Sequence, residues 1–424
     1  MIPELYQLSY LATWGGRAGR LANARREIKR KFERPPALAR GARIVVESAG
    51  MDSLPPLFAA PPSVYAVGDE YRICVPVAGE CTMWVECAGR AHFDHANGIL
   101  RSGRPVHMAS LPQRDLDRTR AYSVFLRPLV ERKAYYSQTG EVQRFDVARF
   151  RPVSPRGGVL RLLNVADTHS FVDGAVSAAA GLKPAPDLLL LNGDIPEDCG
   201  SAERMAVPHL ISGRVTGGAW PCVFARGNHD LRGVFAEQYA ELTPTDGGRS
   251  YYEFRAGPVW GLALDTGEDK VDGCPEYGHT VCCEAFREEE EAWLRGVVRR
   301  GPPRGAKWRV VVCHNPFSHR IRPPFDIEGP RWRRWCRMVA ELRPQAMVTG
   351  HLHECWLEPP GGAHDDYGAP CPVVCSSLVD KGKGTYTCGA VAVRADGAVS
   401  VRFVDERGRT AGRAALPPPA GRRR

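Results

Sequence analysis

The chain of 424 residues lacks any run of about 18 apolar residues, the length that crosses a bilayer, so no membrane span is expected. Its first fifteen residues include Glu4 and place no basic stretch ahead of an apolar core, so no secretory leader is read there. A long polar tract is missing too, which argues against a largely disordered chain, and so is any internal repeat. The fourteen cysteines are not accompanied by the short, secreted frame in which a disulfide scaffold is expected. Cys74, Cys222 and Cys313 fall in apolar strand patterns, where cysteine behaves as a small hydrophobe. Cys371 and Cys375 have a spacing compatible with zinc, but no second Cys/His pair stands close to them in sequence. These features read as a reduced, cytoplasmic protein.

The composition is that of a globular protein, 43% hydrophobic and 25% charged, and the length suggests about two domains. The formal charge of +9 is concentrated at the ends, from Arg17 to Arg34 and at Arg422, Arg423 and Arg424. Such ends are most often simply solvated; less often they touch nucleic acid or an anionic membrane.

Four segments follow from the patterning. Residues 1–43 read as a basic leader, helical over 22–32 and stopped by Pro35-Pro36. Residues 44–152 read as an all-β sandwich. Short strand patterns fall at 43–47, 63–66, 71–77, 82–87, 120–128 and 133–137, separated by Gly, Pro and charged turns. Residues 153–412 alternate strand, polar motif and helix. Strands are expected at 159–166, 188–191, 222–225, 259–264, 309–313 and 346–349, and amphipathic helices at 284–300 and 331–342. Two further strands, at 390–394 and 399–404, flank an Asp396-Gly397 turn. Residues 413–424 read as a disordered basic tail.

The polar motifs stand where buried-strand patterns stop, which is where open α/β sheets place their chemistry. In order they are Asp167-Thr168-His169, Asn192-Gly193-Asp194, Gly227-Asn228-His229-Asp230, Cys313-His314-Asn315 and Gly350-His351-Leu352-His353. Each residue alone has a plainer explanation: a surface histidine, a helix cap, a turn. Yet five of the twelve histidines fall in these phrases (169, 229, 314, 351 and 353), always after a strand. Oxygen and imidazole donors of this kind suit divalent hydrolase metals, and a pair of such metals needs a shared carboxylate with donors on either side. Arg226 could touch phosphate or brace its loop, and Asp265-Thr266-Gly267 reads as a turn beside the site. His92-Phe93-Asp94-His95 lacks a matching partner set and reads as a polar loop.

The ordered set D-x-H, G-D, G-N-H-D, H and G-H-x-H, over roughly residues 157 to 405, resembles the calcineurin-like metallophosphoesterase superfamily. The resemblance implies an α/β fold of four layers, α/β/β/α, here preceded by an immunoglobulin- or fibronectin-like sandwich of the kind that purple acid phosphatases carry. It implies Asp167, His169 and His353 on one metal, Asn228, His314 and His351 on a second, and Asp194 bridging. His229 would face the substrate without binding metal, and Asp230 would orient it. The implied reaction is hydrolysis of a phosphomonoester or phosphodiester of a small molecule by a hydroxide bridging two divalent metals. Purple acid phosphatases place a Tyr ligand three residues after the bridging Asp; this chain has Glu197 there, so an iron–tyrosinate centre is not expected. Mn, Fe(II), Zn and Co all remain open. The basic ends would favour a nuclease of the same superfamily. A metal-free scaffold is disfavoured by the complete motif set.

Overall fold

The computed structural model describes residues 54–180 and 182–419. The expected leader, the expected strand at 43–47 and the last arginines lie outside the described residues.

Two groups of parallel strands position the site. Val159–Val165, Leu188–Asn192 and Cys222–Ala225 pair in parallel, and so do Val259–Leu264, Trp308–Cys313 and Ala346–Thr349. Their nearly unbroken Leu and Val runs suit strands that are covered on both faces. Alternate residues divide between three cores, as the two-residue period requires. Leu162, Leu188 and Leu190 meet Val310, Val312 and Val348 between the sheets. Leu163, Leu189 and Leu191 face helices Val172–Ala179 and Ala202–Thr216. Leu262, Val311 and Met347 face helices Cys283–Arg300 and Gly329–Glu341, where Leu294 and the fully buried Trp335 complete the layer. The order is helix, sheet, sheet, helix, as the resemblance implies. The two sheets are joined by Val373–Asp380. Its first residues pair in parallel with Met347–Thr349, and its last pair antiparallel with the strand Thr385–Arg394.

The N-terminal β region departs from expectation in its boundary. Ser63–Val67, Glu70–Pro76 and Val106–Pro112 form one antiparallel layer. Cys81–Cys87, Arg90–Phe93, Tyr122–Glu131 and Gln143–Val147 form a second. Ile73, Val75 and Leu111 pack against Met83, Val85, Val124 and Leu126, so the region is a sandwich. Its first layer, however, is also part of the main sheet: Tyr65 pairs in parallel with Cys222. Tyr65 further lies under helix Ala202–Thr216, with its hydroxyl 2.7 Å from Ser212 Oγ. Residue 152 is therefore not a structural boundary, because the sheet and its core run through it. Two smaller corrections follow. The expected strand at 133–137 is loop: Tyr136 takes a left-handed backbone (φ 59°), and among the described residues no layer covers the exposed Tyr135-Tyr136 pair. The stretch expected as a disordered tail from 413 is ordered at its start. Thr410–Leu416 is a strand paired with Val399–Asp405, and its backbone groups complete that sheet edge.

One buried histidine ties this fold to pH. His209, in helix Ala202–Thr216, is fully buried, and its Nε2 donates to the Leu242 carbonyl at 2.8 Å. Burial pushes its pKa down from 6.5 to about 4. The unfolded chain binds this proton more readily, so the stability held above pH 6.5 is lost as pH falls through about 4. The loss amounts to about 3 kcal/mol at most. His209→Gln, which can keep the bond to Leu242, should flatten the urea-denaturation slope across that window. An unchanged slope would exclude His209 as its source.

Candidate active site

Because the strands in each group are parallel, their carboxyl ends point one way and their following loops converge. Asp167 and His169 follow Val159–Val165. Asp194 follows Leu188–Asn192, and Asn228 and His229 follow Cys222–Ala225. His314 follows Trp308–Cys313, and His351 and His353 follow Ala346–Thr349. The backbone pays for this convergence locally: Asp167, His169, Asp194, His351 and His353 all have positive φ, between 44° and 69°. Non-glycine residues adopt this region at a cost, and such residues cluster at functional sites. Gly193 (φ 76°) sits where a Cβ would lie 2.7 Å from Gly227 Cα, and a Cβ on Gly350 would lie 2.6 Å from Asp167 Oδ2. Both glycines let the loops close on one another.

All seven residues expected as ligands are brought together. Asp167, His169 and His353 offer donor atoms within 4.8 Å of one another, and so do Asp194, His314 and His351. Asn228 Oδ1 is 3.1 Å from His351 Nδ1. The two groups are linked through the carboxylates. His314 Nε2 lies 3.2 Å from Asp194 Oδ2 and 3.7 Å from Asp167 Oδ1, and His353 Nε2 lies 3.3 Å from Asp167 Oδ1.

Several features fit this donor set to cations. His169 Nε2 faces His353 Nε2 at 3.2 Å, two ring nitrogens turned toward each other. Among the described residues, His314 Nε2, Asp167 Oδ1 and His169 Nδ1 are buried without a hydrogen-bond partner, which in a folded interior calls for an explanation. Neighbouring backbone groups fix the orientations. His314 Nδ1 donates to the Asn192 carbonyl at 2.6 Å, leaving Nε2 for the site. The amides of His351 and His229 donate to Asp167 Oδ2 (2.9 Å) and Asp194 Oδ1 (2.8 Å).

The electrostatics agree. Burial pushes His169 and His351 down to about 4, so both are neutral imidazoles, the form that ligates metal. Burial works to raise Asp194, but the charge and hydrogen bond of His314 hold it well below the usual carboxylate range. Burial works against charge on His314 as well, yet Asp194 and Asp167 carry it up to about 10. With no cation, a proton on His314 supplies the positive charge that the carboxylates demand. A dication can take over that role.

Asp230 is placed differently from expectation. Its Oδ2 accepts the amides of Asp194 and Gly227, both at 2.9 Å, so it ties two site loops together rather than orienting His229. Burial, and then the charge of Asp194, push it up to about 7. The His229 ring is held instead by the Glu197 carbonyl, 2.7 Å from Nδ1, and by Arg232 Nη1, 3.2 Å from Nε2. A guanidinium only donates, so Nε2 accepts and Nδ1 carries the proton toward Glu197. Arg226 braces its loop. It is paired with Asp265, and its guanidinium lies over the rings of Tyr239 and Phe286. In the sandwich, Asp94 takes His107 at 2.7 Å.

Residues 160–355 match the model of the calcineurin-like phosphoesterase family. The chain carries a calcineurin-like phosphoesterase domain. It is thereby a hydrolase acting on phosphate esters. Over 277 residues this phosphoesterase is 24% identical to the serine/threonine-protein phosphatase CPPED1 of Danio rerio, covering 57% of this chain and 81% of that protein. Among solved structures, the purple acid phosphatase PPD1 from seeds of yellow lupin (Lupinus luteus) is similar in fold. It has a TM-score of 0.51 and 12% identity, and the match covers 84% of this chain and 74% of that one. Among the described residues no helix is long and apolar enough to cross a membrane.

Four residues around this cluster, Glu197, Lys381, Arg232 and Glu268, were not singled out as participants in the sequence. Glu197 contributes its backbone oxygen to His229, while its carboxylate pairs with Lys381 and lies 4.0 Å from His169 Nδ1. Arg232 is clamped by Glu268 through two 2.9 Å bonds. The spacings, 184 residues for Glu197 and Lys381 and 36 for Arg232 and Glu268, leave no local periodic signal.

Proposed function

We propose that this phosphoesterase hydrolyses phosphomonoesters or phosphodiesters of small molecules with two divalent cations held side by side. Asp167, His169 and His353 would hold one, Asn228, His314 and His351 the other, and Asp194 would be shared. The observation that carries this reading is the continuity of the two donor groups through His314, whose Nε2 lies within 3.7 Å of both Asp167 and Asp194. Bound there, divalent ions supply positive charge for phosphoryl oxygens and lower the pKa of water.

The chain's own groups do the rest. Asp167 and Asp194 are fixed by backbone amides, so their unused lone pairs stay aimed at the centre. His229 is the residue of the Asn-His pair left free of ligand duty. Its Nε2, 3.9 Å from Asp194 Oδ2, is the atom that would hold a proton for the departing alcohol oxygen. Arg232, donating to that same nitrogen, can instead donate to a phosphoryl oxygen when substrate is present.

The test is protein purified without chelator and assayed with Mn, Fe, Co and Zn in turn on p-nitrophenyl phosphate and bis-p-nitrophenyl phosphate. Two metals per chain and metal-dependent release of p-nitrophenol are expected. No bound metal and no hydrolysis with any of the four would overturn the reading and favour a scaffold on the same fold.

A further inference from the structure

A groove of about 870 Å³ opens beside His229. Arg232 belongs to both: it lines the groove, and its Nη1 is 3.2 Å from His229 Nε2. If His229 serves the departing oxygen, the alcohol half of a phosphoester leaves the site on this side. The volume is in the range of sites that enclose small organic ligands.

The groove has a definite chemistry. Tyr251 and Phe286 supply aromatic wall, their ring centroids 5.6 Å apart. Tyr239 also lines it; only 5% of Tyr239 is exposed, and its hydroxyl has no hydrogen-bond partner among the described residues. A buried hydroxyl in that state is costly unless something fills its bonds. The cations that line the groove are already committed: Arg226 to Asp265, Arg232 to Glu268 and Arg249 to Asp246. Glu237 and Glu289 also line it, and neither makes an ion pair among the described residues. The charge left uncompensated on these walls is negative.

We infer that this groove receives the alcohol part of the substrate and selects alcohols with an aromatic body and a positively charged amine. The inference rests on the phosphoesterase reading above. Aromatic walls bury the apolar body of such an alcohol, while the rings of Tyr239, Phe286 and Tyr251 already carry the Arg226 and Arg249 guanidiniums, so the ammonium is drawn by the carboxylates. Free carboxylates complement an ammonium and reject a carboxylate, and such discrimination acts mainly as specificity.

Three phosphate esters with the same reacting end separate the possibilities: phenyl phosphate, tyramine O-phosphate, and the O-phosphate of 3-(4-hydroxyphenyl)propionate. With the full chain and Mn, kcat/KM for the amine ester should exceed that for the acid ester by roughly tenfold or more, less so at high salt. In the Glu237→Gln/Glu289→Gln double variant, whose two sites are exposed, the ratio should fall toward one. A wild-type ratio of one, or a ratio that survives the double substitution, overturns the groove's role while leaving the phosphoesterase reading intact. No turnover of any of the three esters would remove that reading, and the groove's role with it.

Discussion

Asp194→Asn is expected to empty both cation positions together and to lower turnover by at least ~10²–10³-fold, the loss seen when one well-placed electrostatic group is removed. The reason is position. Asp194 Oδ2 is 3.2 Å from His314 Nε2, and its Oδ1 is fixed by the His229 amide at 2.8 Å, so the carboxylate cannot swing to serve one side alone. Elemental analysis reads the outcome. Full metal content, or loss of one metal only, would contradict sharing. A second readout needs no metal. In stripped protein, His314 should titrate at about 10, against an ordinary 6.5. A raised histidine pKa contributes stability that is complete below pH 6.5 and is lost as pH rises through about 10. Asp194→Asn should reduce that decline and bring the His314 titration, followed by NMR, back toward the ordinary range. A His314 titration that does not move would show that Asp194 is not its main partner.

His229→Ala should keep both metals and lose most turnover. The expected loss is about 10²–10⁴-fold on an alkyl phosphate, the span of general acid catalysis, and much less on p-nitrophenyl phosphate, whose leaving group needs little protonation. The geometry predicts this split. The ring is held through Nδ1 by the Glu197 carbonyl, and only Nε2 faces the site. Equal losses on both substrates would point to a binding role, and an unchanged rate would remove His229 from the reaction. Because Asp230 ties the Asp194 and Gly227 amides rather than the His229 ring, Asp230→Asn should behave differently from His229→Ala, disturbing the loops themselves.

The catalytic layers were legible because two simple patterns coincide. Apolar runs such as Leu188–Asn192 mark strands covered on both faces, and a polar phrase closes each run. That is enough to bring Asp167, His169, Asp194, Asn228, His314, His351 and His353 to one end of the sheets. Side-chain partnership beyond those phrases was not legible. Asp230 follows His229 in sequence, yet its carboxylate turns to backbone amides because Gly193 and Gly227 bring those loops within reach. Arg232 finds its role through Glu268, in the loop after Val259–Leu264. The edge chosen by Ser63–Val67 was equally hidden: its residues show that it is a strand, but hydrogen bonds to Cys222–Ala225 depend on tertiary placement.

That last pairing bears on how the protein can be divided. A sandwich hung on a linker could be cut away, and the remainder would keep its function. Here the cut would strip the neighbour from Cys222–Ala225, the strand that delivers Asn228 and His229, and expose a bare hydrogen-bonding edge there. It would also uncover the side of helix Ala202–Thr216 that now receives Tyr65. Open edges of this kind invite pairing with other chains. The β region is thus less an accessory module than the closing plank of the catalytic sheet.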